Sequence, residues 1–215
     1  MVGKGEKVKV IFATKNDGKV EQLKEIVKLC NIDMDIESEK SIGFNEKINE
    51  TGMTFEENSK IKASRLKKYC DENNVEYDFV LSDDSGLCVD KLNGMPGVFS
   101  DRWAGENASR TEILDFLLDK MKDYKTTKER SAKFVSVITG IAKDGKVIQT
   151  RGECMGHIAG HYNLIDQLTY NPVFIPEGFD KPIGEMEEKE FAQVHNHREI
   201  AIRKFVEKVQ KTHQD

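Results

Sequence analysis

Cysteine is sparse: Cys30, Cys70, Cys88 and Cys154 are scattered over 215 residues with no CxxC pair. That spacing excludes the common zinc-site patterns and argues against a disulfide framework, so reduced thiols are expected. No apolar run approaches the roughly 20 residues of a transmembrane helix, and no signal-type apolar stretch opens the sequence, so a cytoplasmic protein without a membrane partner is expected. A positive excess is missing too. The net charge is -5, which offers no global attraction to nucleic acid or an anionic membrane. Aromatic-basic RNA motifs are absent, and no nucleic-acid partner is expected. There are no repeats, no long linker, no Walker A pattern and no GxSxG elbow.

What is present is organised around Phe79 to Leu87 (FVLSDDSGL). An apolar run meets two adjacent carboxylates, Asp83 and Asp84, which repel each other unless a cation or a set of donors offsets the repulsion. A tight turn is the alternative, since Asp, Ser and Gly all favour turns. Earlier, Lys7 to Thr14 reads as a buried strand, Lys15-Asn16-Asp17-Gly18-Lys19 as a basic loop, and Val20, Leu23, Ile26, Val27 and Cys30 as a helix. Free amides at that helix start, with Thr14, Lys15, Asn16 and Lys19, would make a phosphate cradle; a plain β-turn-α connection is the other reading. A short strand is expected around Met34 to Ile36. Thr54 and Glu57 form a capping-box pattern ahead of a helix from Phe55 to Tyr69. Lys62 falls on its inward stripe with Phe55 and Leu66, so it either snorkels outward or meets an anion.

Strands are expected at Phe79 to Leu81, Ser131 to Ala142, Val147 to Glu153 and Tyr170 to Ile175, with a hairpin-like extension at Leu87 to Val89. Helices are expected at Arg110 to Met121 and Phe191 to Lys208. This order suggests a mixed, partly parallel sheet with helices on its faces. Ligands in such sheets sit beyond the carboxyl ends of strands, where the Lys15 to Lys19 loop and the Asp83-Asp84 pair are both expected.

Two signs of charge there suit a magnesium-bound polyphosphate. Glu50, Asp83 and Asp84 are metal or base candidates; the Lys15 to Lys19 loop, Lys62 and the pair His197-Arg198 are anion binders. Either aspartate can orient and deprotonate a water, and Ser85 can donate to a phosphate. His195 and His197, one residue apart, do not face one way on a helix, so a shared zinc is not expected. Arg198 reads as a phosphate or base contact, with helix capping or surface placement as the alternative. His157 and His161 are four apart, but flanking glycines argue against a helix, and no site is assigned to them.

Together these stretches resemble the inosine triphosphate pyrophosphatase family over nearly the whole chain. Ala13 to Lys19 matches its TGNxGK loop, Glu50-Thr51-Gly52 its ETG, and Thr54 to Asn58 its TFxEN. Ser82 to Asp90 matches DDSGLxVD, Leu92 to Ser100 matches LxGxPGxYS, and His197-Arg198 the late SHR. The resemblance implies an elongated α/β fold, a central mixed sheet flanked by helices and two lobes with a central cleft, as one domain over 1–215. It implies hydrolysis of inosine, deoxyinosine and xanthosine triphosphates to the monophosphate and pyrophosphate. Glu50 and Asp84 would hold Mg²⁺, with Asp84 also the proton acceptor. Thr14, Lys15, Asn16, Asp17, Gly18, Lys19, Lys62 and Ser85 would contact phosphates or sugar, and His197 and Arg198 the purine. A homodimer is usual in the family.

Departures concentrate in the base-reading half. FGYDP appears as Leu168-Thr169-Tyr170-Asn171-Pro172, so an aromatic is replaced by Leu168 and a carboxylate by Asn171. The family's glycine-rich approach to that motif is replaced by Tyr162 to Gln167. Lys15 replaces the glycine after Thr14, and Asn196 stands where the family has serine. Tyr170, Asn171 and Lys189, the last at a longer spacing than usual, are the expected remaining substrate contacts. Two alternatives follow: the same reaction on another modified or pyrimidine nucleotide, or nucleotide binding without catalysis.

Overall fold

A computed structural model describes residues 7–163 and 169–212. Leu168, and most of the stretch that replaces the family's glycine-rich approach, lie outside the described residues. Six strands form one sheet: β1 (Val8–Ala13), β2 (Met34–Ser38), β3 (Phe79–Val89), β4 (Ser131–Ala142), β5 (Val147–Ile158) and β6 (Phe174–Pro176), in the order β2-β1-β3-β4-β5-β6. β1 is parallel to β2 and β3, and β5 is antiparallel to β6, so the sheet is mixed as expected. The helices are α1 (Asp17–Leu29), α2 (Phe55–Glu72), α3 (Arg110–Lys120), α4 (Glu188–Phe191) and α5 (His197–Thr212).

The chain divides into two compact units. The first comprises Met1–Asp84, Ser136–Gly152 and Arg198–Asp215. Its strands alternate their side chains between two faces. Val10 and Phe12 of β1 join Phe79 and Leu81 of β3 in a core closed by Leu23 of α1 and by Ile202 and Phe205 of α5. Ile11 and Val80, on the other face, pack with Phe44 and with Leu66 and Cys70 of α2. Thr54 caps α2 with Glu57 in a reciprocal box, as its spacing predicts. The second unit comprises Ser85–Val135 and Glu153–His197. Its core gathers Leu87 and Val89 of β3, Leu114 and Leu117 of α3, Phe134 of β4 and Phe174 of β6.

Several expected boundaries move; β5, expected to end at Glu153, runs on to Ile158. β3 does not stop at Leu81; it runs unbroken through Asp83 and Asp84 to Val89, because pairing with its sheet neighbours outweighs the local turn preference of Asp, Ser and Gly. The single helix expected from Phe191 to Lys208 is two pieces: α4 is capped by a Glu187–Glu190 box and closes after one turn, and α5 begins at His197. The strand expected from Tyr170 is confined to Phe174–Pro176, with 169–173 in turns.

An ionic latch holds the end of α2. Asp71 accepts hydrogen bonds from Lys67 (2.8 Å), the Tyr77 hydroxyl (2.6 Å) and Lys143 (3.1 Å). The bond from Lys67, reinforced by those from Tyr77 and Lys143, holds the carboxyl well below the usual carboxylate range. A group depressed on folding adds stability above its unfolded pKa of about 3.9 and loses it as pH falls. Asp71→Asn is therefore expected to lower the melting temperature at pH 7. The gap from wild type should narrow as pH falls below about 4; a gap constant with pH would show that ionisation of Asp71 is not what stabilises the latch.

Candidate active site

The pleat of β3 resolves the clash between neighbouring acids, because consecutive side chains point to opposite faces. Asp83 shares a face with Phe79 and Leu81, towards α1 and α5. Asp84 shares a face with Val80 and Ser82, towards α2. Each carboxylate meets its own cations.

Asp83 is 4% exposed. Its Oδ2 accepts from Lys19 Nζ at 2.8 Å and Arg198 Nε at 3.0 Å, and its Oδ1 accepts from the Ser136 hydroxyl at 2.7 Å. Burial works against ionisation, but the charges of Arg198 and Lys19 with the bonds from Lys19 and Ser136 outweigh it, and the pKa lies well below the usual range. The guanidinium of Arg198 also donates to Gln22 of α1 at 3.0 Å. Asp83 thus ties α1, β3, β4 and α5 together. Ser136 was not legible as a partner, since nothing in its local sequence marks it.

Asp84 is 7% exposed. Its Oδ1 accepts from Lys62 Nζ at 2.7 Å, and the same ammonium lies 3.4 Å from Glu50 Oε2. The inward lysine of α2 therefore meets anions rather than snorkelling. Burial pushes the Asp84 carboxyl up to about 6; Lys62 opposes this, and the neighbouring Glu50 adds to it. Burial also disfavours the charged Lys62, yet Asp84 and Glu50 raise its pKa overall. Two carboxylates hydrogen-bond each other only when one carries a proton. As anions they leave Asp84 Oδ2 buried with no donor among the described residues. A buried acceptor of that kind suits a cation.

Glu50 is placed by the loop that follows it. Gly52 N donates to Asn58 Oδ1 at 2.8 Å and Met53 N to Glu57 Oε2 at 2.7 Å, which clamps the loop onto the first turn of α2. Asn58 is fully buried, another positioning residue that the motif alone did not reveal. A Cβ on Gly52 would come within 2.6 Å of Glu57 Cβ and 2.7 Å of Asn58 Oδ1. Gly52→Ala should therefore displace Glu50 and cost about 1–3 kcal/mol through overpacking. The check is paired: a lowered urea midpoint and a higher Mg²⁺ requirement. α2 is anchored to β3 one residue before the acids, where Ser82 donates to the Ser59 carbonyl at 2.5 Å.

The loop before α1 is internally tied. Asn16 caps the helix, accepting from Lys19 N, and its own amide donates to Thr14 Oγ1 at 3.1 Å. Lys15 Nζ reaches the carbonyls of Asn45 and Glu46, both at 3.4 Å. Asp17 pairs with Lys40, and Gly18 follows it in the first turn. Lys15 and Lys19 thus serve different neighbours.

In the second unit, Ser85 lies on β3 directly after Asp84. Tyr170 is buried and donates its hydroxyl to the Ser100 carbonyl at 2.8 Å; burial raises its pKa. The carbonyl of Asn171, itself buried, accepts from Gly184 N at 3.0 Å. Lys189 is exposed on α4. The ring of His197 stacks on Phe134, with centroids 5.0 Å apart and planes 22° from parallel.

The sequence model of the Ham1 family matches residues 10–208. A dITP/XTP pyrophosphatase of Clostridium perfringens is 36% identical over 197 residues, 92% of this chain and 95% of that one. Its counterpart in Clostridium tetani is 34% identical over 200 residues, covering 93% and 95%. The solved structure of the Staphylococcus aureus Ham1 protein superposes with a TM-score of 0.81 at 29% identity, covering 95% of this chain and 99% of that one. With the matched model and these relatives, the chain belongs to the Ham1 family, the inosine triphosphate pyrophosphatase family that its motifs resemble.

Proposed function

We propose that this protein hydrolyses deaminated purine nucleoside triphosphates, those of inosine, deoxyinosine and xanthosine, to the monophosphate and pyrophosphate. The observation that carries the reading is Asp84, with one oxygen on Lys62 and the other buried without a donor among the described residues, beside Glu50. The names of the relatives supply the substrate class.

Glu50 and Asp84 would hold Mg²⁺. Among the described residues no group of three or more His, Cys, Asp or Glu side chains forms a metal cage. That fits an ion which takes one or two carboxylates and completes its shell with substrate phosphates and water. Held there, Mg²⁺ would supply charge neutralisation at the phosphates and lower the pKa of the attacking water. The chain's own residues do the rest. Asp84 accepts the proton of the water. Lys62, placed between the acids, moves towards phosphate oxygens as substrate arrives. Thr14 to Lys19, Ser85 and Arg198 contact the phosphates or sugar. Tyr170, Asn171, Lys189 and His197 contact the base, with Arg198 contributing there as well. The chain 1–215 acts as one pyrophosphatase domain, as a homodimer, in the cytoplasm.

A second reading keeps the reaction and changes the base, because Asn171 offers a neutral amide where the family pattern has a carboxylate. One assay separates the two: pyrophosphate release from a panel of purine, pyrimidine and deaminated triphosphates, with Mg²⁺, with Mn²⁺ and with EDTA. Release is expected to be fastest on the inosine and xanthosine nucleotides and to stop with EDTA. A pyrimidine or other modified nucleotide leading the panel would favour the second reading. Folded protein that releases nothing from any triphosphate would overturn both.

A further inference from the structure

The second unit holds a cavity of about 620 Å³ whose lining includes none of the residues assigned above. Arg130, the residue before β4, forms part of its wall and is 8% exposed. Its Nε donates to the Ile158 carbonyl at 2.6 Å, Nη1 to the carbonyls of Met121 and Tyr124 at 3.0 Å each, and Nη2 to the Ala159 carbonyl at 2.6 Å. Every acceptor is neutral, and no carboxylate pairs with Arg130 among the described residues. A buried charge ordinarily has a counter-charge. Carbonyl dipoles satisfy four of the five guanidinium donors and leave the full positive charge in place.

The same wall adds cations: Lys122, Lys125 and Lys181 line it beside the imidazoles of His157 and His161, against the two acids Asp180 and Glu185. Burial lowers the pKa of His157 and the charge of Arg130 lowers it further, so the imidazole feels that cation. Lys122 pairs with Asp119 at 3.1 Å and Lys181 with Glu190 at 2.6 Å. The first pair is exposed and the second half-buried, and ion pairs near the surface contribute little. Leu118 and Ile175 give the cavity an apolar side. Its size falls in the range of small-molecule sites.

We infer that this cavity binds a small phosphate-bearing anion, whose oxygens are taken by Arg130 and the flanking lysines. Several cations converging on one volume fit a multiply charged oxyanion better than a single carboxylate. The inference stands apart from the proposed hydrolysis and does not depend on it.

The chain has five histidines, so ring-proton resonances of His157 and His161 can be assigned by His→Gln substitution. The full chain is titrated, without divalent metal, with inorganic phosphate, pyrophosphate and a nucleoside monophosphate. Saturable shifts of both ring signals are expected, unchanged in Asp84→Asn and weakened at least tenfold in affinity by Lys122→Ala with Lys181→Ala. The lysine pair carries the decision because Arg130→Gln removes structural hydrogen bonds together with the charge. Saturation by inorganic phosphate identifies the free ion as ligand, and saturation by the ester alone identifies a phosphorylated metabolite; either supports the site. Shifts that do not saturate, or affinity unaltered by the lysine substitutions, would overturn it.

Discussion

Asp83→Ala is expected to lower folding stability by about 3–5 kcal/mol, the usual cost of removing one partner from a buried charge network. Lys19 and Arg198 converge on one oxygen of Asp83, and Ser136 occupies the other. Without the carboxylate, two cations face each other across a vacated buried site, and a buried hydroxyl loses its acceptor. Urea unfolding reads the loss as a lower midpoint at unchanged slope. Removing Lys19 in the Asp83→Ala background should recover part of it, since one stranded charge goes with it. A midpoint shift equivalent to less than about 1 kcal/mol, the common size for a point substitution, would demote Asp83 from anchor to ordinary residue.

Asp84→Asn is expected to do the reverse: turnover falls about 10³-fold or more while folding stability stays within about 1 kcal/mol of wild type. The amide oxygen still accepts from Lys62, and Glu50 still balances that ammonium. What disappears is a base for the attacking water and one of two anionic oxygens placed for a cation. Steady-state pyrophosphate release and thermal melting of the same preparation are the measurements. Turnover within tenfold of wild type would remove Asp84 from the reaction. A collapse in melting temperature would instead make it a second structural anchor.

Much of this was legible along the chain. The Thr54–Glu57 box, the apolar strand β1 and the inward register of Lys62 are local patterns, and local patterns survive folding. The family resemblance singled out Asp84 for Mg²⁺ and the proton, but the anchoring role of Asp83 was not legible. Read in a window of a few residues, the pair looks like a turn at a strand end, and both acids qualify as base or ligand. Their separation comes from partners remote in sequence: Ser136 and Arg198 for one, Glu50 and Lys62 for the other. The same limit hid Asn58, whose buried amide holds the Glu50 loop, and Arg130, whose acceptors come from distant carbonyls. The break between α4 and α5 had a local cue in Asn196, a residue type favoured just before a helix; the apolar period beyond Phe191 obscured it.

The opposed orientation of the two acids makes β3 intolerant of length change. Deleting or inserting a single residue ahead of Ser82 would invert the facing of everything after it. The acid meant for Lys19 and Arg198 would then be presented to Lys62, and its neighbour would enter the α1–α5 side. Substitutions at either aspartate harm one role at a time, whereas a frame shift of one position in this strand transposes both.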